Sequence, residues 1–285
     1  MGKTLYLECN SGISGDMTVG ALLDLGADRN VLDSVLKTVK AEGFTIKYSR
    51  VKRSGLDCQD FDVVLDEEHD GHDHDMEYLY GHTHSHDGEH DHHHDHHHNH
   101  ENQESQHHQE HHHHHAHRGM KEINEIIDNA KMTDNARKIA KSIFEILAEA
   151  ESKAHGLPVN EVHFHEVGAV DSIVDVISIA VCVDNLDIDK VIVPKLYDGH
   201  GTVRCQHGIL PVPVPAVTNI VTEHKITLEI IDVKGELVTP TGAAAVAALR
   251  TDDTLPKEFK IEKVGMGSGK RDYGLAGFVR AMIIS

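Results

Sequence analysis

The spacing of apolar and polar residues predicts alternating strands and helices on both sides of a long polar segment. Apolar residues at alternate positions predict strands, and apolar residues three and four apart predict helices. The predicted strands cover residues 4–9, 44–51, 61–65, 162–165, 191–193, 201–205, 226–231, 259–264 and 278–284. The predicted helices cover residues 16–25, 31–40, a stretch that begins near 123, 134–155, 171–186, 213–222 and 240–249. This order favours an α/β or α+β fold, in which helices pack on a mixed sheet.

Residues with special backbone or capping properties mark several of the predicted helix ends. Gly26 follows the first helix, and Gly156 follows the long helix that Thr133 caps. Pro215 lies in the first turn of a later helix, where its missing N–H costs nothing. Both kinds of signal agree with the spacing of the apolar residues.

Residues 66–117 interrupt this pattern. These 52 residues contain 22 histidines, 14 Asp or Glu, and neither Lys nor Arg. They include almost no aliphatic residues to offset chain entropy, so we expect a disordered loop. Clustered imidazoles suit Ni, Cu and Zn, and we take His92, His94 and His97 as candidate ligands. A purification tag is the alternative, but it would lie at a terminus and would lack interleaved carboxylates.

This composition divides the chain into three parts. Residues 1–65 form an N-terminal α/β part, residues 66–118 a His/Asp-rich metal-binding segment, and residues 119–285 a second α/β part. The last part carries the candidate metal and cofactor site. The roughly 230 residues outside the segment are enough for one large domain or two smaller ones.

The charge and cysteine content restrict the class of protein. The net charge is −20, but the segment holds 14 of the negative charges, so the rest of the chain is only mildly acidic. The absence of a basic stripe and of Trp argues against a nucleic-acid partner. Four cysteines without a CxxC pair indicate reduced thiols. With no signal-peptide pattern and no run of ~20 apolar residues, we expect a soluble cytoplasmic protein without a membrane partner.

The strongest candidate site is the run His163-Phe164-His165-Glu166-Val167-Gly168-Ala169-Val170-Asp171. In an extended chain, residues two apart share a face, so His163 and His165 are predicted to point to one side. Glu166 follows them, Asp171 starts the next helix, and Asp175 comes one turn later. Two imidazoles and a carboxylate suit a divalent transition metal. Two surface histidines beside a helix-capping Asp171 are the alternative.

A second cluster is His200-Gly201-Thr202-Val203-Arg204-Cys205-Gln206-His207-Gly208. Cys205 and His207 are predicted to share a strand face, with His200 a further imidazole nearby. A thiolate beside an imidazole suits Ni or Zn. The alternative is a buried structural cysteine followed by a histidine in a turn. His155 and His224 stand alone in the sequence, and we interpret them as structural.

Three polar turns are candidates for binding an anionic group of a cofactor. The first two precede helices, whose N-termini attract phosphate, and the third is a basic glycine-rich loop. Their candidate residues are Ser11, Gly12, Ser14 and Gly15, then Thr241 and Gly242, then Lys270 and Arg271. Asp16 counts against a phosphate at the first turn unless a metal bridges it. The third lacks Walker A spacing, and a plain hairpin turn is its alternative.

Four motifs in this order resemble the LarC family of nickel insertion proteins. They are Cys9-Asn10-Ser11-Gly12-Ile13-Ser14-Gly15-Asp16-Met17, His163-Phe164-His165-Glu166-Val167-Gly168-Ala169-Val170-Asp171, His207-Gly208-Ile209-Leu210-Pro211-Val212-Pro213 and Thr239-Pro240-Thr241-Gly242-Ala243-Ala244. The resemblance covers nearly all of the sequence that is predicted to fold, and the histidine-rich segment is typical of it.

The resemblance implies a nickel chelatase that completes the nickel-pincer cofactor of lactate racemase. It would insert Ni(2+) into a pyridinium bisthiocarboxylic acid mononucleotide and consume CTP, with Mg(2+) or Mn(2+). The reaction forms two Ni–S bonds and one Ni–C bond, so a base must remove a ring proton. We hypothesise that His163 and His165 hold nickel, with Asp16 as a further ligand. Glu166 or Asp171 would accept the proton.

The resemblance also sets expectations about partners. Family members are longer, with a C-terminal domain associated with the nucleotide, so we expect CTP to bind a region outside this sequence. That region would be a partner chain or a deleted part. Lactate racemase is the expected recipient of the product, and we expect a homo-oligomer.

Two other functional classes stay open. A nickel storage or delivery protein would bind several Ni(II) ions without converting the apo-cofactor. A zinc-type metallohydrolase would need an open metal site with a bound water, and it would show no preference for nickel.

Overall fold

A computed structural model describes residues 2–66, 118–164, 169–205 and 207–285. The strands are β1 (Lys3–Glu8), β2 (Phe44–Arg53), β3 (Leu56–Leu65), β4 (Arg118–Gly119), β5 (His163–Phe164), β6 (Ile188–Ile192), β7 (Leu196–Cys205), β8 (Gly208–Val212), β9 (Leu228–Lys234), β10 (Ile261–Ser268) and β11 (Phe278–Ile284). The α-helices are α1 (Gly15–Leu25), α2 (Arg29–Leu36), α3 (Met120–Asn129), α4 (Asp134–His155), α5 (Val170–Asn185), α6 (Pro215–Glu223) and α7 (Pro240–Leu249). The predicted disordered loop, with His92, His94 and His97, lies outside the described residues.

The main sheet is mixed and has six strands in the order β2-β3-β10-β11-β1-β6. β1 pairs in parallel with β6 and antiparallel with β11, and β10 pairs antiparallel with β11. The hairpin β2–β3 joins through a parallel pairing of Gln59 with Gly267. Helices pack on this sheet, so the predicted α/β class is confirmed. Because strands from residues 3–65 and 188–284 share one sheet, both sequence parts contribute to it. The boundaries proposed from composition stay a prediction.

Local signals decide several helix ends as the sequence predicts. Gly26 ends α1 in the left-handed region, at φ 110°, which glycine adopts without strain. The Thr133 side chain accepts a hydrogen bond of 3.0 Å from the Ala136 N–H at the start of α4. Both bounds of α7 match the prediction, and Pro215 is the first residue of α6.

Close packing of α1 on the centre of the sheet positions the start of that helix. A Cβ on Gly267 of β10 would lie 1.9 Å from the Met17 carbonyl oxygen, and one on Gly265 would lie 2.3 Å from the Ala21 carbonyl oxygen. Only glycine permits backbones to approach so closely. The buried side chains Leu22 and Leu25 complete this contact on the core side of the helix.

The long helix α4 runs antiparallel to α5. At its start, the Thr133 hydroxyl and the Asn135 amide donate hydrogen bonds of 2.7 and 2.8 Å to the Asp184 carboxylate, near the end of α5. The two helices pack along their length through buried residues that include Ile143 and Leu147. The end of α4, at His155, therefore lies toward the start of α5.

Three predictions about the elements are wrong. The glycine-rich loop around Lys270 and Arg271 is predicted to begin at Gly265, but residues 265–268 are the second half of β10, because their pairing with β11 continues to Ser268. β8 is not predicted at all, and it forms an antiparallel hairpin with β7. The second helix ends at Leu36 rather than near residue 40. In each case long-range pairing or a local turn outweighs the apolar spacing.

No helix among the described residues is both long enough and apolar enough to cross a membrane.

Candidate functional site

Three helix N-termini meet at one end of the fold. A Cβ on Gly15, the first residue of α1, would lie 2.4 Å from Asp175 Oδ2 in α5, so the two helices touch directly. A Cβ on Gly242, in the first turn of α7, would lie 2.3 Å from the Ile13 carbonyl oxygen just before α1. The motifs around residues 9–17, 169–175 and 239–244, which are far apart in sequence, are therefore neighbours.

Carboxylates from two of these helices face one another. Asp16 lies in the first turn of α1, Asp171 lies in the first turn of α5, and Asp175 lies one turn further along α5. The Ser14 hydroxyl donates a hydrogen bond to Asp16, and the Asp16 backbone N–H donates one to Asp175. Asp171 Oδ1 and Asp175 Oδ1 are buried atoms without a hydrogen-bond partner in the part of the chain that the structure describes. Buried carboxylate oxygens without partners are costly, which is typical of a site that awaits a ligand.

The electrostatic environment raises the pKa of all three carboxylates. Burial is the main cause for Asp175, and the neighbouring charges of Asp16 and Asp171 add to it, so its pKa stands well above the ordinary value. Burial also raises the pKa of Asp16, against the Ser14 hydrogen bond and the charge of Lys270. The pKa of Asp171 is raised for the same first reason. These carboxylates therefore gain from the arrival of a cation.

Lys270 supplies the nearby positive charge. Its Nζ lies 2.5 Å from Asp62 Oδ1 on β3, and its charge lowers the pKa of the three carboxylates. The start of its loop is fixed by Arg53, which donates a hydrogen bond of 2.8 Å to Ser268 Oγ and another to the Gly269 carbonyl oxygen. The predicted cofactor-binding residue Lys270 thus lies beside the carboxylates.

Several of the other residues predicted to bind an anion, among them Gly12, Gly242 and Arg271, have protein partners at their backbone or side-chain donors. In the first turn, the Gly12 and Ile13 N–H groups donate to the carbonyl oxygens of Cys9 and Leu237, at 3.0 and 2.9 Å. In α7, the Gly242 N–H donates to Thr239 Oγ1 at 3.2 Å. Arg271 contacts Glu236 at 3.5 Å and the Tyr273 hydroxyl at 3.3 Å. Together with the carboxylates, these bonds favour a cation over a phosphate near α1. The assignment of Ser11, Gly12, Ser14, Gly15, Thr241, Gly242 and Arg271 to cofactor binding stays a prediction.

The residues assigned to nickel in the strongest motif are only partly described. The backbone of His163 pairs with Gly119 in the two-stranded sheet β4–β5. Phe164 is buried and packs edge-on against Phe144 of α4, with ring centroids 6.3 Å apart. The side chain of His163 lies outside the described residues, as do His165 and Glu166. The next described residue is Ala169, one residue before α5 and two before Asp171.

The second predicted cluster has a different arrangement from the one expected. β7 ends at Cys205 and His207 lies in the following turn, so the prediction that they share a strand face is wrong. The His207 ring packs against the ring of His155, with centroids 5.0 Å apart. His200 Nε2 lies 3.2 Å from Asp232 Oδ1 on the exposed side of β9. Within the described ranges, no three His, Cys, Asp or Glu residues are grouped so that they could hold a metal ion. The role of Cys205, His207 and His200 as metal ligands stays a prediction.

Sequence reasoning missed Asp62 and assigned no role to Asp175. The signal for Asp175 was present, because residues four apart on a helix share a face and Asp171 was already a candidate. Asp62 carried no such signal, since only the parallel pairing of β3 with β10 brings it beside Lys270.

Helices packed on a mixed six-stranded sheet, with buried carboxylates at the adjoining starts of α1 and α5, define this chain as an α/β protein with an acidic candidate site. The sequence profile of the family described as nickel insertion protein matches residues 5–285, and the chain belongs to that family.

Several curated relatives agree over the whole chain. A pyridinium-3,5-bisthiocarboxylic acid mononucleotide nickel insertion protein of Alkaliphilus metalliredigens is 50% identical over 285 residues, which is 100% of this chain and 61% of the relative. Proteins of the same name from Clostridium acetobutylicum and Lactiplantibacillus plantarum are 42% and 38% identical over 99% of the chain, and 64% and 61% of their own length. The chain thus spans about three fifths of the length of these relatives. No solved structure gives a significant match.

Proposed function

We propose that this chain inserts Ni(II) into pyridinium-3,5-bisthiocarboxylic acid mononucleotide. The names of its relatives support the substrate, and the family supports nickel as the inserted ion. The observation that carries the proposal is a pair of buried carboxylate oxygens, Asp171 Oδ1 and Asp175 Oδ1, that lack a hydrogen-bond partner among the described residues and lie beside the start of α1. Three of the four shared motifs are neighbours there, and the buried carboxylates beside them provide negative charge that favours a cationic ligand.

The proposed reaction breaks one bond and forms three. The two thiocarboxylate sulfurs donate electron pairs to Ni(II), and a ring carbon forms the Ni–C bond with the electron pair of its former C–H bond. The proton leaves to a base of the protein, and nickel stays in the +2 state. No oxidant or reductant is needed. The protein must hold the ion, orient the ring and accept one proton.

We assign these roles to residues of the motif that spans residues 163–171. His163 and His165 would hold nickel before transfer, with Asp16 as a further ligand, because imidazole and carboxylate donors suit Ni(II). Asp171 or Glu166 would accept the proton. Asp171 is supported by its position in the first turn of α5, beside Asp16 and within the field of Lys270. Cys205, His207 and His200 are kept as candidate ligands on the path of nickel to that point.

The remaining parts of the reaction involve components that we also propose. CTP, with Mg(2+) or Mn(2+), would be consumed, and its binding is assigned to a C-terminal region or a partner chain. The reaction would be of the lyase class and would form the C–Ni and S–Ni bonds of the pincer cofactor. The nickel-bearing product would pass to lactate racemase. The protein would act in the cytoplasm as a homo-oligomer.

An insertion assay tests the proposal. Purified chain is incubated with the apo-mononucleotide, Ni(II) and CTP, with and without the C-terminal region of a longer relative as a second chain. Mass spectrometry of the small molecule detects the gain of nickel with the loss of protons. We expect product in the presence of the second region. Several bound nickel ions without product in either mixture would favour storage and would contradict insertion.

Matched variants test the residue assignments in the same assay. The double variant His163→Ala/His165→Ala is expected to lose at least about tenfold in rate, because removing catalytic positioning groups typically costs that much or more. Asp171→Asn tests the base. His224→Ala is the control, since it removes one imidazole from the end of α6, at a residue without a proposed role in insertion. Insertion by the double variant at the parent rate would show that nickel is held elsewhere.

A further inference from the structure

A buried carboxylate on β7 is connected to the candidate site by a short series of hydrogen bonds. Asp198 is fully buried, with 0% of its surface exposed. Its Oδ1 accepts three backbone hydrogen bonds, from Gly199 and Leu237 at 2.8 Å each and from Val238 at 3.1 Å. Among the described residues, these donors belong to its own neighbour, Gly199, and to the segment before α7. Asp198 therefore fixes the chain just before α7.

That segment is bonded in turn to the turn before α1. The Ile13 N–H donates to the Leu237 carbonyl oxygen at 2.9 Å, and the Thr239 N–H donates to the Ile13 carbonyl oxygen at 3.0 Å. Ile13 precedes Ser14, whose hydroxyl bonds to Asp16. Three consecutive links thus lead from Asp198 to a site carboxylate.

The hydrogen-bonded segments are closely packed, because a glycine brings two backbones into direct contact at each step. A Cβ on Gly199 would lie 2.1 Å from the Gly235 carbonyl oxygen, and one on Gly12 would lie 2.0 Å from the Leu237 carbonyl oxygen. At the third step, a Cβ on Gly242 would lie 2.3 Å from the Ile13 carbonyl oxygen. A displacement of residues 237–239 must therefore displace the start of α1, since closely packed interiors transmit strain.

The arrangement is costly, which argues for a role besides stability. Asp198 Oδ2 is buried without a hydrogen-bond partner among the described residues, although Oδ1 has three. A buried acid with one unpartnered oxygen stabilises a fold less than well-packed apolar residues do. Asp198 Oδ1 accepts hydrogen bonds from three backbone N–H groups at once, and an apolar side chain could accept none of them.

We propose that Asp198 is a positioning residue that fixes the starts of α1 and α7 relative to each other, and with them Asp16 and Thr241. This role rests on the proposed function in one respect, because that proposal makes these two helix starts part of the insertion site. Among the described residues, Asp198 is hydrogen-bonded to Gly199, Leu237 and Val238, so it acts through the segment before α7 and through Ile13.

Amide hydrogen exchange tests this without nickel or mononucleotide. Asp198→Ala is expected to speed exchange at Ile13, Leu237, Val238 and Thr239 by at least about tenfold, because it removes bonds that hold these amides directly or one link away. Amides of the β2–β3 hairpin are expected to exchange at the parent rate. Asp198→Asn keeps an acceptor oxygen of the same shape, so its effect is expected to be smaller and at the same amides. If the alanine variant does not fold, the asparagine variant carries the test.

Asp232→Asn is the matched control, since it makes the same change at an exposed residue of the neighbouring strand β9. Exchange that rises equally in all amides, or not at all, in Asp198→Asn would overturn the proposal, because a purely stabilising residue moves all amides together. In the insertion assay, the loss of rate is expected to follow the local exchange, greatest for alanine. A parent chain that inserts no nickel would refute the proposed function and leave the exchange result standing.

Discussion

Asp175 Oδ2 occupies the space into which a side chain on Gly15 would project, at 2.4 Å from the position of a Cβ. This contact holds the start of α1 against the start of α5 and places a second carboxylate beside Asp16. Asp175 Oδ1, on the same carboxylate, is buried without a partner in the described part of the chain. The contact therefore positions the two helix starts, and it also buries a carboxylate whose charge is destabilising there.

Asp175→Asn is expected to stabilise the fold at neutral pH. The pKa of Asp175 is raised well above 3.8, so the native state binds its proton more tightly than the unfolded state does. Below pH about 4 Asp175 is protonated in both states and costs no folding free energy. The cost of its buried charge grows as the pH rises toward the native pKa and is fully present above that pKa. We expect the variant to gain ~1–3 kcal/mol at pH 7.5, with a smaller gain at pH 4.5. Urea unfolding at both values measures this.

The exposed Asp232→Asn is the control for charge alone and is expected to change stability little at either pH. A variant at Asp175 that loses stability at pH 7.5 would show that the carboxylate is satisfied in solution. The same variant is expected to insert nickel more slowly, as stabilised sites often lose activity.

Lys270→Met is expected to lower the free energy of unfolding at pH 7.5, and the size of this loss is expected to depend on the Asp175 carboxylate. Its charge lowers the pKa of Asp16, Asp171 and Asp175, so its removal raises the cost of their ionised forms. Because about half of the Lys270 side chain is exposed, the loss is expected to be about 1 kcal/mol or less. In Lys270→Met/Asp175→Asn the loss should shrink, which a double-mutant cycle by urea unfolding measures.

Lys52→Met is the control for that cycle, because its ammonium pairs with Asp57 at 3.2 Å on the hairpin surface. It is expected to show no coupling with Asp175→Asn. Equal coupling for both lysines would mean that Lys270 acts only through the overall charge.

Gly267→Ala is expected to destabilise the fold by about 1–3 kcal/mol or more, because its Cβ would meet the Met17 carbonyl oxygen at 1.9 Å. The helix α1 would have to move away from β10, which would also displace Asp16. Gly119→Ala is the control, since its nearest neighbour is the flexible Glu122 carboxylate at 3.1 Å. Thermal unfolding compares the two, and equal stability of both variants would contradict the packing argument.

Deletion of residues 66–117 is expected to lower nickel stoichiometry much more than insertion at saturating nickel. The 22 histidines of this segment suit low-specificity binding of divalent ions, while the proposed chemistry uses the motifs around residues 163–175. Equilibrium dialysis with metal analysis gives the stoichiometry, and the insertion assay gives the rate. Loss of insertion at saturating nickel would place the segment in the site itself.

Local patterns predicted the elements well where neighbours in sequence decide them. The helices over residues 134–155 and 240–249 form as predicted, because Thr133 and Thr239 cap them with side-chain hydrogen bonds. The predictions failed where partners are distant. β10 continues to Ser268 because β11 pairs with it, although the glycines of residues 265–269 resemble a loop.

By itself, the sequence determined most of the strands and helices in their order, the family, and the kinds of residue that we propose as ligands of the ion. These follow from local spacing and from motifs that can be read in order. Only the tertiary structure decided that Asp16, Asp175 and Lys270 meet, that Asp62 pairs with Lys270, and that Asp198 is bonded to the segment before α7. These pairs are far apart in the chain, and they are brought together by the burial of apolar faces on a shared sheet, which acts over the whole molecule.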